Sequence, residues 1–238
     1  MPSRPRLYAH RGAAVEQPEN TLPAFHRALE RGADALEMDI HMTADGHIVV
    51  SHDPSGRRMA GVAARYCDAT LSDIKRWDLG YGFVDSAGER PFAGRGYCVP
   101  TFEEVLRELP DVPLNVDIKQ VRPSPVPRLL ELLRRTGNCE RVTLASFHAR
   151  NLLAVRRRGY EGPTALSQVE VASLLALPAR VWARQWRTLG GIGTAAQLPT
   201  RGAGIRMDTH TLLDKCHRLG LRVDYWTIND PAEARRLL

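Results

Sequence analysis

Short apolar runs alternate with stretches of helical periodicity along most of the chain. Residues 7–9 are apolar and precede a helical stripe at residues 22–29, which Thr21 introduces and Gly32 closes. The same order of strand and helix recurs within residues 114–135, 142–158 and 164–177. Strands that alternate with helices predict a parallel sheet or a closed barrel.

Residues 35–42 alternate strictly between apolar and polar side chains. Leu36, Met38 and Ile40 lie on one face of the predicted strand, and Glu37, Asp39 and His41 lie on the other. The Asp45-Gly46 pair then predicts a two-residue hairpin turn, in which Asp39 would lie opposite His52. A longer loop is the alternative, and a shift of one residue would move His52 to the other face.

Two further strands are predicted at residues 204–207 and 223–228, on either side of a helix at 211–219. They bring the parallel strands to seven, and a closed barrel needs an eighth, but the chain stops at Leu238 within a predicted helix. The predicted fold class is α/β, a TIM-type (β/α)₈ barrel that forms one domain over residues 1–238. Residues 55–100 break the alternation and are glycine-rich, which predicts a small insertion after the second strand.

Composition limits the classes of protein. With 238 residues, 43% hydrophobic and 25% charged, the chain is typical of a globular domain. No run approaches the roughly 20 apolar residues of a membrane span, and no signal peptide is visible, so we expect a cytoplasmic protein without integral membrane association. The net charge of +6 favours anionic partners, but scattered arginines and few aromatic residues argue against nucleic acid. The four cysteines form no CxxC pair, which favours reduced thiols.

Glu37 and Asp39 are the first candidates for chemistry. Their strand would pack its apolar face against the outer helices, so both carboxylates would point into the barrel, where two close anions need a cation. Carboxylate oxygens without neighbouring thiols suit Mg²⁺ or Ca²⁺. The alternative for an isolated Glu-x-Asp pair is a solvated edge strand.

Other polar residues converge on the same end of the predicted barrel. His10 and Arg11 directly follow the first strand, and Asp117 and Lys119 share the inward face of the strand at 114–118. A second histidine supplies an acid and base pair with His52, and arginine and lysine suit phosphate oxygens. Because so many buried charges are a poor design for stability, the set predicts a metal-assisted phosphodiester site.

A set of motifs, weak singly and specific together, is similar to the glycerophosphodiester phosphodiesterase family over nearly the whole chain. The matching residues are His10-Arg11-Gly12, Pro18-Glu19-Asn20-Thr21, Glu37-Met38-Asp39, Asp45-Gly46, His52-Asp53, Pro100-Thr101-Phe102-Glu103-Glu104, Leu114-Asn115-Val116-Asp117-Ile118-Lys119, Ser146-Phe147 and Tyr225-Trp226-Thr227-Ile228-Asn229.

The resemblance implies metal-dependent hydrolysis of a small anionic glycerophosphodiester to an alcohol and sn-glycerol 3-phosphate. By position, the resemblance makes Glu37, Asp39 and Asp117 metal ligands and makes His10 and His52 the general acid and base. Arg11 and Lys119 would bind the phosphate. Glu19 would support the site, and Trp226 would form a wall on the glycerol side. Direct attack by water and prior attack by the glycerol hydroxyl, through a cyclic phosphate, are both open.

Two departures from the family pattern matter. The third ligand position usually holds glutamate, whereas Asp117 is one methylene shorter, which predicts water-mediated ligation or a changed metal preference. The family also has an eighth strand after the last helix, so either the given chain is incomplete or a seam stays open beside the first strand.

Two rival functions are open. A lysophospholipase D-like activity would need an apolar channel in the insertion, and residues 55–100 hold enough aromatic side chains to allow one. A non-catalytic phosphate-binding barrel is the other rival. The missing strand favours it, and the presence of both histidines and all three acids argues against it.

Overall fold

The computed structural model describes residues 5–189, 193–202 and 204–237. The strands are β1 Tyr8–His10, β2 Ala35–Met42, β3 Ile48–Val50, β4 Leu114–Ile118, β5 Val142–Ala145, β6 Ala195–Leu198, β7 Arg201–Gly202, β8 Ile205–Arg206 and β9 Arg222–Tyr225. The helices are α1 Leu22–Glu30, α2 Arg57–Ala60, α3 Leu71–Ile74, α4 Phe102–Glu108, α5 Val126–Arg135, α6 Ala149–Arg157, α7 Gln168–Ala176, α8 Ala179–Leu189, α9 His210–Arg218 and α10 Pro231–Leu237. Two 3₁₀ turns, Tyr66–Asp68 and Leu79–Gly82, lie in the segment 55–100.

Parallel pairing runs through the described residues in the order expected of a barrel. Strands β1, β2, β4 and β5 are consecutive neighbours in one sheet. Single parallel pairs, Leu144 with Thr164 and Ala165 with Ala195, continue the series to β6, which pairs with β9. Every residue of β4 and β5 is buried, as parallel strands covered on both faces require. The predicted TIM-type fold class is confirmed.

One predicted barrel strand was wrong. Residues 205–206 are β8, which pairs antiparallel with β7 in a short hairpin, and the place next to β9 is taken by β6. The sequence of β6, Ala-Ala-Gln-Leu, lacks the β-branched and aromatic residues that mark a strand, so its pattern is weak. Its place is decided by pairing with neighbours distant in the sequence.

The predicted register of the β2–β3 hairpin was also wrong, by one residue. His41 pairs with Val49 and Met42 with Ile48, and the amide of Ser51 donates to the carbonyl of Asp39 at 2.9 Å. The connection is longer than a two-residue turn, because the Thr43 amide donates to the His47 carbonyl. Asp39 therefore lies opposite Ser51, and His52 follows the end of β3.

Three apolar clusters support this arrangement. The largest joins the β1, β2, β4 and β5 region to α1, α4 and α5, with Phe25, Phe102 and Leu129 fully buried. A second joins α7, α8 and α9 to β6 and β9 around Trp182. The segment 55–100 has a core of its own, which includes Tyr66. A single domain with this segment as an insertion remains a prediction.

Side chains bridge the gap between β9 and β1. No backbone pairing joins these strands in the described ranges, but the Arg222 guanidinium lies 5.8 Å from the centre of the Tyr8 ring. Helix α10 is tied down by Arg236, whose Nη2 lies 2.7 Å from Oδ2 of the nearly buried Asp208.

No helix in the described parts of the chain is both long and apolar enough to cross a membrane.

Candidate active site

Strand register brings the predicted acidic residues together. His10 on β1 pairs with Glu37 on β2, which pairs in turn with Asn115 on β4. Two residues further along the same strands, Asp39 pairs with Asp117. Neighbouring parallel strands in register direct paired residues to the same face. Glu37, Asp39 and Asp117 therefore converge within the barrel mouth.

Lys119 lies between the two paired aspartates. Its Nζ is 3.0 Å from Asp39 Oδ1 and 2.7 Å from Asp117 Oδ2. Burial opposes the charge on Lys119, but Asp117 and Asp39 raise its pKa overall. The second oxygen of Asp117, Oδ1, is buried and has no hydrogen-bond partner in the described structure. Burial raises the pKa of Asp117. The charges of Lys119 and, more weakly, His52 oppose this rise.

Glu37 is the least compensated of the three acids. Burial, followed by the charges of Asp39 and Asp117, raises its pKa well above the ordinary value. The backbone amide of Arg11 donates to Glu37 Oε2 at 3.2 Å, and His10 Nε2 lies 3.9 Å from the same oxygen. A buried carboxyl of this kind favours a nearby cation or a proton.

The loop after β1 has an unusual backbone that aims Arg11 into the site. Arg11 has a φ of 59° and Asn20 a φ of 57°, both in the left-handed region that non-glycine residues rarely adopt. Gly12 has a φ of 80°, and a Cβ there would lie 2.8 Å from the backbone of Ala24. Glycine is therefore needed for the loop to approach α1 this closely.

Within that loop, Arg11 joins two acidic groups. Its Nη1 donates to Glu19 Oε1 at 3.2 Å, and its Nε lies 3.3 Å from Asp39 Oδ2. The side-chain Nδ2 of Asn20 donates to the same Asp39 oxygen at 3.1 Å. The backbone strain is thus held where it positions a guanidinium beside the carboxylates.

The two predicted catalytic histidines differ in their surroundings. Burial, and then the charge of Arg11, lower the pKa of the half-exposed His10. The Nδ1 of His52 lies 2.9 Å from Asp53 Oδ1. Hydrogen bonds from His52 and Arg58 lower the pKa of Asp53, although burial opposes them. Since an ionised carboxylate only accepts, the Nδ1–H of His52 donates to Asp53, and this contact orients the His52 ring.

The segment 55–100 contributes Arg58 to this network. Its Nη2 donates to Glu19 Oε1 at 2.6 Å, and its Nε donates to Asp53 Oδ2 at 2.6 Å. Arg58 thus links the loop after β1 to the loop after β3. The hydrogen bonds that Arg58 donates to Glu19 and Asp53 raise the pKa of Arg58, although burial opposes them.

Trp226 lies just beyond β9 and reaches the site through Phe147. Their rings meet edge to face with centres 5.7 Å apart. The Lys119 Nζ lies 5.3 Å from the centre of the Phe147 ring. Both aromatic side chains are nearly half exposed, so together they form an apolar wall open to solvent.

The donor set suits a hard divalent cation. Five carboxylates face three permanent cations here: Glu19, Glu37, Asp39, Asp53 and Asp117 against Arg11, Arg58 and Lys119. A doubly charged ion would balance them, and the unpartnered Asp117 oxygen and the raised pKa of Glu37 both favour one. As the side chains stand, no three or more His, Cys, Asp or Glu residues within the described ranges are grouped closely enough to hold a metal. Lys119 Nζ contacts both aspartates, so an ion there would replace that contact.

The structure brings all nine predicted site residues to one end of the barrel, and adds others. Asn20 and Asp53 lie inside motifs that were singled out, but they had no assigned role. Arg58 had no signal at all, because it is 39 residues from Glu19 and joins it only through the fold. The fold and this combination of side chains define the broad class, a TIM-type barrel with an enzyme-like mouth at the carboxyl ends of its strands.

Comparison with known families identifies the chain more closely. The model of the glycerophosphoryl diester phosphodiesterase family matches residues 10–238, so the chain belongs to that family. The expectation of an enzyme from this family is thereby confirmed at the level of family membership.

Known relatives agree with this. The chain is 36% identical over 157 residues to a glycerophosphodiester phosphodiesterase of Caldanaerobacter subterraneus subsp. tengcongensis, covering 63% of this chain and 61% of that protein. It is 36% identical over 131 residues to Lysophospholipase D GDPD1 of Homo sapiens, covering 53% and 40% of the two chains. The chain therefore spans about three fifths of the length of the first relative and two fifths of the second.

A solved structure shares the fold over nearly the whole length. The phosphodiesterase OLEI02445 of Oleispira antarctica, solved in complex with the product sn-glycerol-3-phosphate, matches with a TM-score of 0.75 and 20% identity. The match covers 98% of this chain and 88% of that one.

Proposed function

We propose that the protein hydrolyses glycerophosphodiesters to an alcohol and sn-glycerol 3-phosphate with the help of a divalent cation. The observation that carries this proposal is the convergence of Glu37, Asp39 and Asp117 beside Arg11 and Lys119 in a member of this family. The product found in the Oleispira structure is consistent with a glycerol phosphate on this fold.

Arg11 and Lys119 would bind the phosphate of the substrate. Both are held at the mouth by acidic partners, and both carry donors suited to phosphate oxygens. Glu19 fixes the direction of Arg11 through its own contact with Arg58. Trp226, with Phe147 behind it, would form the apolar wall against the glycerol carbons.

The two histidines would move the protons. His10, with its lowered pKa, suits the base that takes a proton from the attacking hydroxyl. His52 suits the acid that gives a proton from Nε2 to the leaving alcohol oxygen, since Asp53 holds its ring through Nδ1. The bond between phosphorus and the alcohol oxygen breaks as the attacking oxygen bonds to phosphorus. Attack by water gives glycerol 3-phosphate directly, whereas attack by the glycerol hydroxyl gives a cyclic phosphate that water then opens to the same product.

Glu37, Asp39 and Asp117 would hold the divalent ion. An ion in this place stabilises the negative charge that develops on the phosphoryl oxygens. Because all the donors are oxygens, Mg²⁺ and Ca²⁺ are the expected ions. The short side chain of Asp117 is the point at which metal preference would differ from relatives with glutamate there.

The direct test is release of glycerol 3-phosphate from glycerophosphocholine, followed with a coupled dehydrogenase. We expect turnover with added Mg²⁺ or Ca²⁺ and none in excess EDTA at equal ionic strength. Release of phosphocholine instead would show cleavage of the other ester bond. Binding of glycerophosphocholine without turnover at any metal concentration would favour the non-catalytic barrel and overturn the proposal.

A second candidate activity, of the lysophospholipase D type, is favoured by one observation. A cleft of about 520 Å³ lies beside Glu19 and Arg58, and Val15, Met59, Phe83 and Val84 contribute apolar walls. Val15 and Val84 are exposed, as expected if an acyl chain covers them. Turnover of lysophosphatidylcholine that falls in Val84→Asp, while glycerophosphocholine turnover is unchanged, would support this activity. Equal loss on both substrates would contradict it.

A cytoplasmic location remains a prediction.

A further inference from the structure

A second cleft adjoins the site and is strongly basic. It measures about 370 Å³, and its lining includes His41, Arg65, Lys119, Arg122 and Arg150. None of its described lining residues is acidic. We call it the arginine cleft. Lys119 belongs both to the arginine cleft and to the carboxylate cluster, so the cleft is continuous with the position proposed for the phosphate.

Two of these arginines have no compensating charge. In the described parts of the chain, neither the Arg122 nor the Arg150 guanidinium has an ion-pair or hydrogen-bond partner. Arg65 has only Asp68, at 4.0 Å, and both side chains are mostly exposed. Most other arginines near the mouth are paired, as Arg11 and Arg58 are. Unpaired cations that converge on one cleft repel one another, and a bound anion would relieve that repulsion.

Arg150 also stands against the dipole of its helix. It lies in the first turn of α6, which has no acidic residue there. A cation at this end is unfavourable to the helix, and the free amides of the first turn favour an anion. The position of Arg150 thus costs stability that an anionic ligand would restore.

Buried hydrogen bonds hold the loops that carry these arginines. Asn151 on α6 donates through Nδ2 to the carbonyls of Ile118 and Gln120. Gln120 accepts from the Met42 amide and donates to the Pro123 carbonyl. The backbone that follows β4 is therefore fixed to α6, which follows β5, and these two segments carry the exposed Arg122 and Arg150.

We propose that the arginine cleft holds the alcohol half of the substrate and selects alcohols that carry a second anionic group, such as a phosphate. The inference rests on the proposed function, since it assigns a specificity to that site. Trp226 is not part of the cleft, which leaves the glycerol half to the aromatic wall and the alcohol half to the arginines. By the same charge argument, cationic alcohols such as choline are disfavoured.

A pair of substrates that differ only by one phosphate tests this specificity. We expect kcat/KM to be higher for glycerophosphoinositol 4-phosphate than for glycerophosphoinositol by roughly tenfold, and the ratio to shrink as salt is added. Arg122→Gln and Arg150→Gln should each lower kcat/KM for glycerophosphoinositol 4-phosphate much more than for glycerophosphoinositol, so that most of the preference is lost. Arg157→Gln, at the other end of α6, is the matched control and should keep the preference.

Binding of the free alcohol separates this inference from the proposed activity. We expect myo-inositol 4-phosphate to bind more tightly than myo-inositol in titration calorimetry, and Arg122→Gln to weaken it. If neither diester is hydrolysed but this binding pattern holds, the proposed function fails and the anion site stands. Equal kcat/KM for the two diesters, a preference that survives both cleft variants, or failure of myo-inositol 4-phosphate to bind would overturn the inference.

Discussion

Single side chains at the barrel mouth are held in states that only their neighbours make acceptable. Asp39 is almost fully buried, yet Lys119, Arg11 and Asn20 surround its two oxygens. Arg11 and Asn20 themselves keep a left-handed backbone. Such strain is typical of functional sites, where the geometry of a few groups matters more than their own stability.

The assignment of the two histidines predicts different responses to the leaving group. His10→Ala and His52→Ala should each lower kcat on glycerophosphocholine by roughly 10²–10⁴-fold, the range of a lost proton-transfer group. The alcohol of a p-nitrophenyl diester leaves without needing a proton. On that substrate the kcat of His52→Ala should therefore be close to that of the wild type, whereas the kcat of His10→Ala should stay low. Steady-state kinetics on both substrates measure this.

His26→Ala is the control for that comparison, because His26 is exposed on α1. It should match the wild type on both substrates. Full activity of either His10→Ala or His52→Ala would overturn the assignment.

At the scale of secondary-structure elements, a few side chains decide how helices and loops are attached. Asn151 connects α6 to the end of β4 through buried hydrogen bonds to the carbonyls of Ile118 and Gln120, and it also donates to Ser146 just after β5. Asp208 performs the same task for α10, since it is nearly buried and meets both Arg206 and Arg236. Neither role follows from the helical pattern of α6 or α10.

Asn151→Ala should destabilise the fold by about 1–3 kcal/mol, because the buried carbonyls of Ile118 and Gln120 lose a donor. Urea unfolding measures the change. Arg157→Ala on the exposed part of α6 should stay within about 0.5 kcal/mol of the wild type. If the free energy of unfolding of Asn151→Ala changed as little as that of Arg157→Ala, solvent would be replacing the lost hydrogen bonds.

The attachment of α10 predicts a dependence on pH. Hydrogen bonds from Arg206 and then Arg236, against burial, lower the pKa of Asp208 below its ordinary value of 3.8. A carboxyl group whose pKa is lowered by folding stabilises the folded state at pH values above its unfolded pKa. This stabilisation is lost as the pH falls. Asp208→Asn should therefore have a lower Tm than the wild type near neutral pH, with a difference that shrinks below pH 3.8.

The matched control for Asp208 is Asp214→Asn on α9, which removes the same charge from an exposed residue. It should show a smaller difference in Tm at neutral pH. A difference for Asp208→Asn that stays constant down to the acid limit would contradict the ion-pair explanation.

For the whole molecule, the decisive feature is that separate strands meet around one space. Glu37 and Asp39 come from β2 and Asp117 from β4, strands that lie far apart in the sequence and adjacent in the sheet. Their mutual repulsion is a cost of the folded state that a bound cation would remove. Metal binding and stability should therefore be coupled.

We expect excess Mg²⁺ or Ca²⁺ to raise Tm relative to EDTA at constant ionic strength. At 100 times the dissociation constant the gain is about 2.7 kcal/mol, or about 5–10 °C for a domain of this size. Glu37→Gln should need more metal for the same shift, and activity should follow the same titration. An identical shift in Glu37→Gln, or none in the wild type, would make ligation by Glu37 untenable.

The sequence by itself determined what depends on near neighbours along the chain. The succession of β4, α5, β5 and α6, the Thr21 N-cap of α1 and the placing of Glu37 with Asp39 on one face all follow from local periodicity, and the structure confirms them. The same is true of Asp117 beside Lys119. These features need no information about distant residues.

Tertiary structure decided everything that depends on how distant segments meet. The hairpin register shifted by one residue because the loop from Thr43 to His47 is longer than its Asp-Gly pair suggests. The place of β6, the link from Arg58 to Glu19, and the gathering of Arg65, Arg122 and Arg150 in one cleft are also long-range outcomes. Local patterns state which face a side chain occupies, whereas only packing and pairing across the barrel determine what that face meets.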